Sequence, residues 1–384
     1  MDTTTQHMIP PLIVRSPASR RLAWTGTVIA TAVLAAALVW LVAPHAGPYA
    51  AGRSPLEQLL GSPSATAAFV AAGVQAVAGV VTAAIGVSVL AGWLKAVGTA
   101  SVLALLMVGA VALGLLGFDG IVIAGYSLAF LVPLGIVAVI VVLAVRRPLV
   151  AAALAIPVVG VVVLSHLGIF PLVEFSTRFA AAIADDPVRF GTSLGLIAFV
   201  GVWTLWAATP LARRFGRVGA FAERHRVVIT VAAAACAAPY VVARASWLTP
   251  WPLFGGSTDM FSEHPEVRVV GLMLGGAMLV GAVLTLGLVL PWGTRLPRWV
   301  PRVGGKPVPV PLAVVPASVV AVLFTAGGVQ SLVLAASASL PLEIVFVLPF
   351  WLWGPMLALA TWGYARHRAR RVRSISVAAG AMKE

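Results

Sequence analysis

The amino-acid sequence predicts an all-α fold, a polytopic transmembrane helical bundle of about ten spans with both termini in the cytoplasm. The first observation is composition: 60% of the residues are hydrophobic, 10% are charged, and the mean hydropathy is +1.02. These values lie outside the range of soluble globular domains. The second is length, because at roughly 20 apolar residues per span a chain of 384 residues holds about ten helices with short loops.

The third observation is the distribution of basic residues, which fall in alternate gaps between the apolar segments. In the ten-span arrangement, 21 of the 26 Lys and Arg lie on the cytoplasmic side, four lie in outer loops, and Arg244 lies within a span. This is the positive-inside pattern. The net charge of +14 is therefore explained by topology and by attraction to anionic headgroups, and we expect no nucleic-acid partner.

The predicted boundaries divide the chain into a basic cytoplasmic tail (1–21), the bundle (22–365) and a second basic cytoplasmic tail (366–384). The first apolar stretch is too long for a signal-peptide core, so it is predicted to be an uncleaved span. The ten predicted spans are about 22–43, 66–91, 96–116, 121–145, 149–170, 188–211, 227–249, 269–290, 312–333 and 342–365.

Local signals justify several of the connections. Ser54, Pro55 and Glu57 form a capping-box pattern with proline at the first helical position, which predicts a short surface helix in the first outer loop. Residues 171–190 combine both charge signs with a helical apolar spacing, which predicts an interfacial helix. Asp186 and Pro187 then suit the N-cap and first position of the sixth span.

Gly271 and Gly275 in the eighth span have the GxxxG spacing that allows two helices to approach closely. The single cysteine, Cys236, lies in the alanine-rich seventh span and is predicted to be a small packing residue. One cysteine allows neither a disulfide nor a cysteine metal cluster within the chain.

Residues 291–307 are too rich in proline to form a helix and are predicted to lie as a rigid strap along the cytoplasmic headgroups. Its expected lipid-interface residues are Trp292, Arg295, Arg298, Trp299 and Arg302. The pattern PWGxxxPRWVPxxGGxxVP resembles a stretch in uncharacterised actinobacterial multi-span integral membrane proteins, and the end of the seventh span, around Arg244 and Trp247, resembles them more loosely. The resemblance implies no function.

Polar side chains within the spans are the candidate site residues, since an unpaired polar group in hydrocarbon is costly. Most of them fall in the predicted outer half of the bilayer. The residues expected to bind a substrate are Arg244, Tyr240, His166, Glu343 and Gln330. In one interpretation they converge on an outward-facing pocket where Arg244 binds a carboxylate or phosphate. In the other they extend toward the headgroups, and Arg244 with Glu343 forms a structural ion pair.

The tenth span contains two prolines and a glycine at mid-membrane depth. Pro349 and Pro355 are expected to kink the helix and free backbone carbonyls, as in discontinuous transporter helices. Trp351 and Trp353 lie away from both expected aromatic belts and are candidates to line a cavity. The alternative is a bent helix that serves packing alone.

The sequence carries no phosphate-binding loop, no HExxH metal motif and no lysine within a span. We therefore predict no catalytic residue, cofactor or metal site. The leading hypothesis is a secondary transporter or lipid-handling permease, with membrane lipids as partners and a small anionic or lipidic ligand. The alternative is a non-catalytic structural or partner subunit of a cell-envelope complex, homo- or hetero-oligomeric. A third is a membrane-embedded transferase that uses Asp185, Asp186 and Glu263.

Overall fold

The structure, a computed structural model, describes residues 17–49, 55–60, 65–167, 172–296 and 304–381. Within this part the chain is helical, with no strand beyond one isolated β-bridge between Arg295 and Pro307. The α-helices are α1 Pro17–Val42, α2 Pro55–Leu60, α3 Ala65–Leu90, α4 Val97–Val111, α5 Gly117–Arg146, α6 Pro148–His166, α7 Leu172–Asp185, α8 Pro187–Arg214, α9 Gly216–Arg224, α10 Arg226–Ala235, α11 Ala238–Ala245, α12 Thr258–Glu263, α13 Pro265–Leu286, α14 Val310–Ala336, α15 Leu342–Val347 and α16 Phe350–Ala381.

Eight helical runs among the described residues are long and apolar enough to cross a membrane. They are Pro17–Val42, Ala65–Leu90, Val97–Leu128, Pro187–Ala212, Arg226–Leu248, Val267–Leu286, Val310–Ala336 and Leu342–Arg371. Two shorter apolar helices, Leu134–Val145 and Pro148–Gly160, lie between the third and fourth of these runs. The chain is therefore a multi-pass, all-helical membrane protein, and its difference from the predicted ten spans concerns residues 97–166 alone.

A π-helical segment and a glycine divide the run that begins at Val97. The segment Ala112–Leu116 continues α4, and Gly117 then adopts φ +47° and ψ −137°, outside the helical region. A Cβ at this position would also lie 2.1 Å from Oε1 of Gln330. Glycine is therefore required here both by conformation and by the close approach of a side chain.

The first hydrophobic core lies between α1, α3, α4 and α8. It is built from small residues, because these let helix backbones approach closely within a membrane. A Cβ on Gly86 of α3 would lie 2.0 Å from Oγ1 of Thr27 on α1. The fully buried Trp203 of α8 fills the remaining space and approaches to within 3.1 Å of a Cβ placed on Gly26.

The second core joins α10, α13, α14 and α16. Helix α14 contributes to both cores, through Leu323 and Ala326 to the first and Ala321 to the second. Its contact with α16 is close: a Cβ on Gly328 would lie 2.1 Å from the backbone nitrogen of Trp351. Helix α14 therefore connects the two halves of the bundle.

Two predicted connections are confirmed and one is corrected. The Asp186 side chain accepts a hydrogen bond from Arg189 N at 3.0 Å as the N-cap of α8, and α7 is helical as expected. The predicted surface helix exists as α2, but it is only partly at the surface, since Gln58 is exposed and Pro55 is buried. Glu57 is 5% exposed because α2 packs against α3, α14 and the π-helical segment.

A buried hydrogen-bond chain holds the loop that follows α1. The Tyr49 hydroxyl donates to Oε1 of Gln75 at 2.5 Å, and Nε2 of Gln75 donates to Val33 O at 2.8 Å. Burial of the Tyr49 phenol raises its pKa above the usual value. Gln75, one of the few polar residues within the spans, therefore has a structural role.

Candidate functional site around Arg244

Arg244 lies near the end of α11, and two aromatic side chains of the same segment enclose its charge. Its guanidinium carbon is 4.8 Å from the ring centroid of Tyr240, one helical turn earlier. The same carbon is 4.0 Å from the ring centroid of Trp247, which lies in the 3-10 turn Ser246–Leu248 after the helix. Both contacts have cation–π geometry, which fixes the position of the charge.

Helix α13 packs against this segment through its GxxxG glycines, Gly271 and Gly275. A Cβ on Gly275 would lie 2.7 Å from Cβ of Arg244, and a Cβ on Gly271 would lie 2.1 Å from the Trp247 ring. The stem of Arg244 and the ring of Trp247 thus occupy the two glycine positions. The predicted close approach at the GxxxG pair is confirmed.

The Arg244 guanidinium makes no hydrogen bond and no ion pair within the part of the chain that the structure describes. Its Nε is buried and makes no hydrogen bond, and no described carboxylate lies within ion-pair distance. An unpaired cation in a partly buried site is costly unless an anion neutralises it. The arrangement therefore holds a fixed, half-buried positive charge that can bind a carboxylate or phosphate.

Glu343 does not neutralise Arg244, so the structural ion pair considered for these two residues is not formed. Glu343 lies in the first turn of α15 and its side chain is exposed. Helix α15 does pack against α11, where Val347 contacts the cluster that contains Tyr240 and Ala243. Glu343 therefore lies on a helix that packs against α11, but it does not pair with Arg244.

Gln330 belongs to a different polar group from Arg244. Its Oε1 accepts from Phe118 N at 2.6 Å, and its Nε2 donates to Oε1 of Gln58 at 2.9 Å. The side chain is 3% exposed and caps the backbone of α5 next to Gly117. These contacts join the ends of α2, α5 and α14, so Gln330 has a packing role that sequence spacing did not reveal.

His166 is also separate from Arg244. It is the last residue of α6, it is exposed, and α6 packs against α5 and α7. Helix α11 packs against α13 and α15. Of the five residues predicted to bind a substrate, the structure thus brings together Arg244 and Tyr240, while Glu343 lies on the adjacent helix α15.

The tenth span is broken where its prolines predicted a kink. Helix α15 ends at Val347, Leu348 and Pro349 are non-helical, and α16 begins at Phe350 and continues through Pro355. Trp353 is 2% exposed and packs at 4.9 Å from Phe324 and 6.3 Å from Phe350, which favours the alternative of a helix that serves packing.

Trp351 crosses the break between the two helices. Its Nε1 donates to Val345 O of α15 at 3.3 Å. The tryptophan thereby satisfies one of the carbonyl groups that the end of α15 leaves without an intrahelical partner.

The proline-rich strap is held to the end of α16 by contacts that the sequence did not predict. Nη1 of Arg368 donates to Thr294 O at 3.0 Å and Nη2 to Val308 O at 2.7 Å, while the Tyr364 hydroxyl donates to Gly293 O at 2.9 Å. Trp292 lies against Gly287, and Arg295 is exposed, as an interface requires. Arg298, Trp299 and Arg302 lie outside the described residues.

An ion-pair cluster next to this strap was also not predicted from the sequence. Oε2 of Glu223 on α9 lies 3.6 Å from Nε of Arg366 and 3.2 Å from Nε of Arg370. The two arginines are four residues apart on α16 and therefore share one face, a signal that was available. No group of three or more His, Cys, Asp or Glu side chains that could hold a metal ion occurs among the described residues.

Comparisons of the chain with protein-family models, with curated proteins and with solved structures find no match.

Proposed function

We propose that this integral membrane protein is a secondary transporter or lipid-handling permease, with an outward-facing site at Arg244 for the anionic group of its substrate. The observation that carries the proposal is the fixed, half-buried guanidinium of Arg244, which no described side chain neutralises. Structural cations within membranes are normally paired. A guanidinium that is held in position and has no ion-pair partner is suited to binding an anionic ligand.

The proposed topology has ten spans, with both termini in the cytoplasm. In support, Gly117 interrupts the helical run at the predicted outer turn, and α5 and α6 form the helices expected for the fourth and fifth spans. The basic clusters of α9 and α16 pack together at one end, as the assignment of both to the cytoplasmic side requires.

Single-cysteine labelling tests this topology in a Cys236→Ala background. A membrane-impermeant maleimide on intact cells should label Ser257→Cys, in the loop after α11, and leave Lys95→Cys and Arg147→Cys unlabelled until the cells are opened. Labelling of Lys95→Cys or Arg147→Cys in intact cells contradicts the ten-span arrangement.

Arginine suits the proposed ligand because its planar fork binds carboxylate and phosphate through two parallel hydrogen bonds. The rings of Tyr240 and Trp247 hold the guanidinium in place, so little conformational entropy is lost when an anion binds. The adjoining break between α15 and α16 provides a hinge of the kind used in alternating access.

The experiment measures anion binding to the purified protein in nanodiscs. Inorganic phosphate and succinate are titrated against the native protein, Arg244→Gln and Arg244→Lys, with Arg217→Gln as a control, since Arg217 is an exposed arginine on α9. Loss of a charge-assisted pair of about 1.5–3 kcal/mol weakens binding roughly 10- to 100-fold in Arg244→Gln. Arg244→Lys keeps the positive charge but lacks the planar guanidinium, so its anion affinity should lie between those of the native protein and Arg244→Gln.

The result that overturns the proposal is anion affinity, measured on folded protein, that is equal in Arg244→Gln and the native chain. The rival role as a structural subunit predicts that outcome, together with co-purification of a second protein. Proteoliposome uptake of the anion that binds then separates a transporter from a receptor.

A further inference from the structure

We infer that the anionic ligand of Arg244 is a phospholipid, whose phosphate pairs with the guanidinium and whose acyl chains lie against an apolar lip made by residues 250–254. The inference rests on the proposed function for the site itself and adds the class of ligand. It starts from the loop after α11, which exposes Trp251, Leu253 and Phe254 at 78%, 46% and 51%.

The loop that carries these side chains is folded back onto the base of the site. Nε1 of Trp247 donates to Leu253 O at 2.8 Å, and Leu253 N donates to Oγ of Ser246 at 2.9 Å. The ring of Trp247 that contacts Arg244 therefore also holds the lip. The charged site and the apolar lip form one unit.

The backbone of the lip has an unfavourable conformation that presents its aromatic side chain outward. Phe254 adopts φ +50°, followed by Gly255 at φ +80°. A bulky residue with positive φ costs about 1–3 kcal/mol and persists only where its surroundings impose it. The exposure of Phe254 is thus built into the loop.

Apolar side chains are also exposed on α11 and on the adjacent helix α15. Leu342 and Phe346 are 61% and 60% exposed on this helix, which packs against α11, and Val242 of α11 is 60% exposed. A binding site for a soluble anion is expected to be surrounded by polar side chains, because these keep the anion solvated. An apolar loop next to a cation that no described carboxylate neutralises instead matches the two parts of a lipid, an anionic headgroup and hydrocarbon chains.

Two acidic residues of this region with described side chains do not neutralise Arg244. Asp259 and Glu263 lie on α12 with exposed side chains, and neither forms an ion pair with Arg244. Interfacial tryptophan adds to the argument, because Trp251 is the kind of side chain that lies at headgroup depth.

The test uses nanodiscs that contain phosphatidylglycerol and phosphatidylcholine, with lipid retention read by native mass spectrometry. The lip variant is Trp251→Ser with Phe254→Ser. The control is Trp93→Ser, which removes a tryptophan that is 74% exposed elsewhere in the chain. We expect the lip variant to retain about 10-fold less phosphatidylglycerol, while its affinity for inorganic phosphate and the behaviour of the control stay unchanged.

The outcomes separate this inference from the function on which it rests. If phosphate binding depends on Arg244 but phosphatidylglycerol is retained no better than phosphatidylcholine, or equally by the lip variant, the lipid assignment is wrong and the anion site stands. If neither anion depends on Arg244, both fail. A lip variant that changes the oligomeric state and not lipid retention assigns the lip to contact with a second copy and overturns the inference.

Discussion

The guanidinium carbon of Arg244 lies 4.0 Å from the centroid of the Trp247 ring, and that ring occupies the position above Gly271. The two residues are close in sequence but belong to successive elements, α11 and the 3-10 turn after it. A cation–π contact of this kind contributes about 0.5–2 kcal/mol. The position of the Arg244 charge therefore depends on how closely the Trp247 ring can pack against α13.

Replacement of Gly275 by alanine should destabilise the protein. The new Cβ would lie 2.7 Å from Cβ of Arg244, and such overpacking costs about 1–3 kcal/mol. Gly276→Ala is the matched control, since nothing lies within 4 Å of its added Cβ and alanine favours the helix. Thermal unfolding in detergent is the measurement, and an equal melting temperature for the two variants contradicts the close packing.

Replacement of Gln330 by leucine should lower the free energy of unfolding by about 1–3 kcal/mol, because Phe118 N–H is left without its acceptor in a buried site. Ser331→Ala is the control, as that hydroxyl donates only to Gly327 O within its own helix. Denaturant titration followed by tryptophan fluorescence gives both values. A loss for Gln330→Leu no larger than that of the control argues against the cap.

Replacement of Arg368 by glutamine should release the strap at residues 291–308. The variant loses the charged hydrogen bonds to Thr294 O and Val308 O, each worth about 1.5–3 kcal/mol. We expect trypsin to cleave after the strap arginines about 10-fold faster, because local opening becomes more frequent. Arg370→Gln removes instead the ion pair between the exposed Arg370 and the largely buried Glu223, and it should leave the cleavage rate unchanged.

Replacement of Tyr49 by phenylalanine should change how stability depends on pH. The raised pKa of the buried phenol gives the native protein stability that is present below about pH 10 and is lost as the pH rises further, because only the unfolded phenol then ionises. The variant should lose about 1 kcal/mol at neutral pH and show a shallower decline above pH 10. An unchanged slope in unfolding measurements contradicts the burial of this hydroxyl.

Patterns within single segments predicted much of the fold. Apolar length gave the helices, the Asp186–Pro187 pair gave the start of α8, and Gly271 with Gly275 gave a close helix contact. Each of these depends on neighbours along the chain, within one turn or one helix. Local periodicity is enough to predict such features.

Relations between distant segments were predicted less well. Gln330 and Arg244 both looked like parts of one pocket, yet Gln330 pairs with Phe118 and Gln58, more than 200 residues away in each case. The site retains Arg244 and Tyr240 because they lie on the same face of α11. It excludes His166 because α6 packs elsewhere in the bundle.

The sequence by itself determined that the chain is a helical membrane protein, because hydropathy acts residue by residue. Only the tertiary structure decided that Arg244 makes no ion pair with a described residue, that Trp353 is packed in an aromatic core, and that Arg368 holds the strap. The physical reason is that solvation preferences are local. Whether a polar group finds a partner depends on which helices approach it, and that is set by packing across the whole bundle.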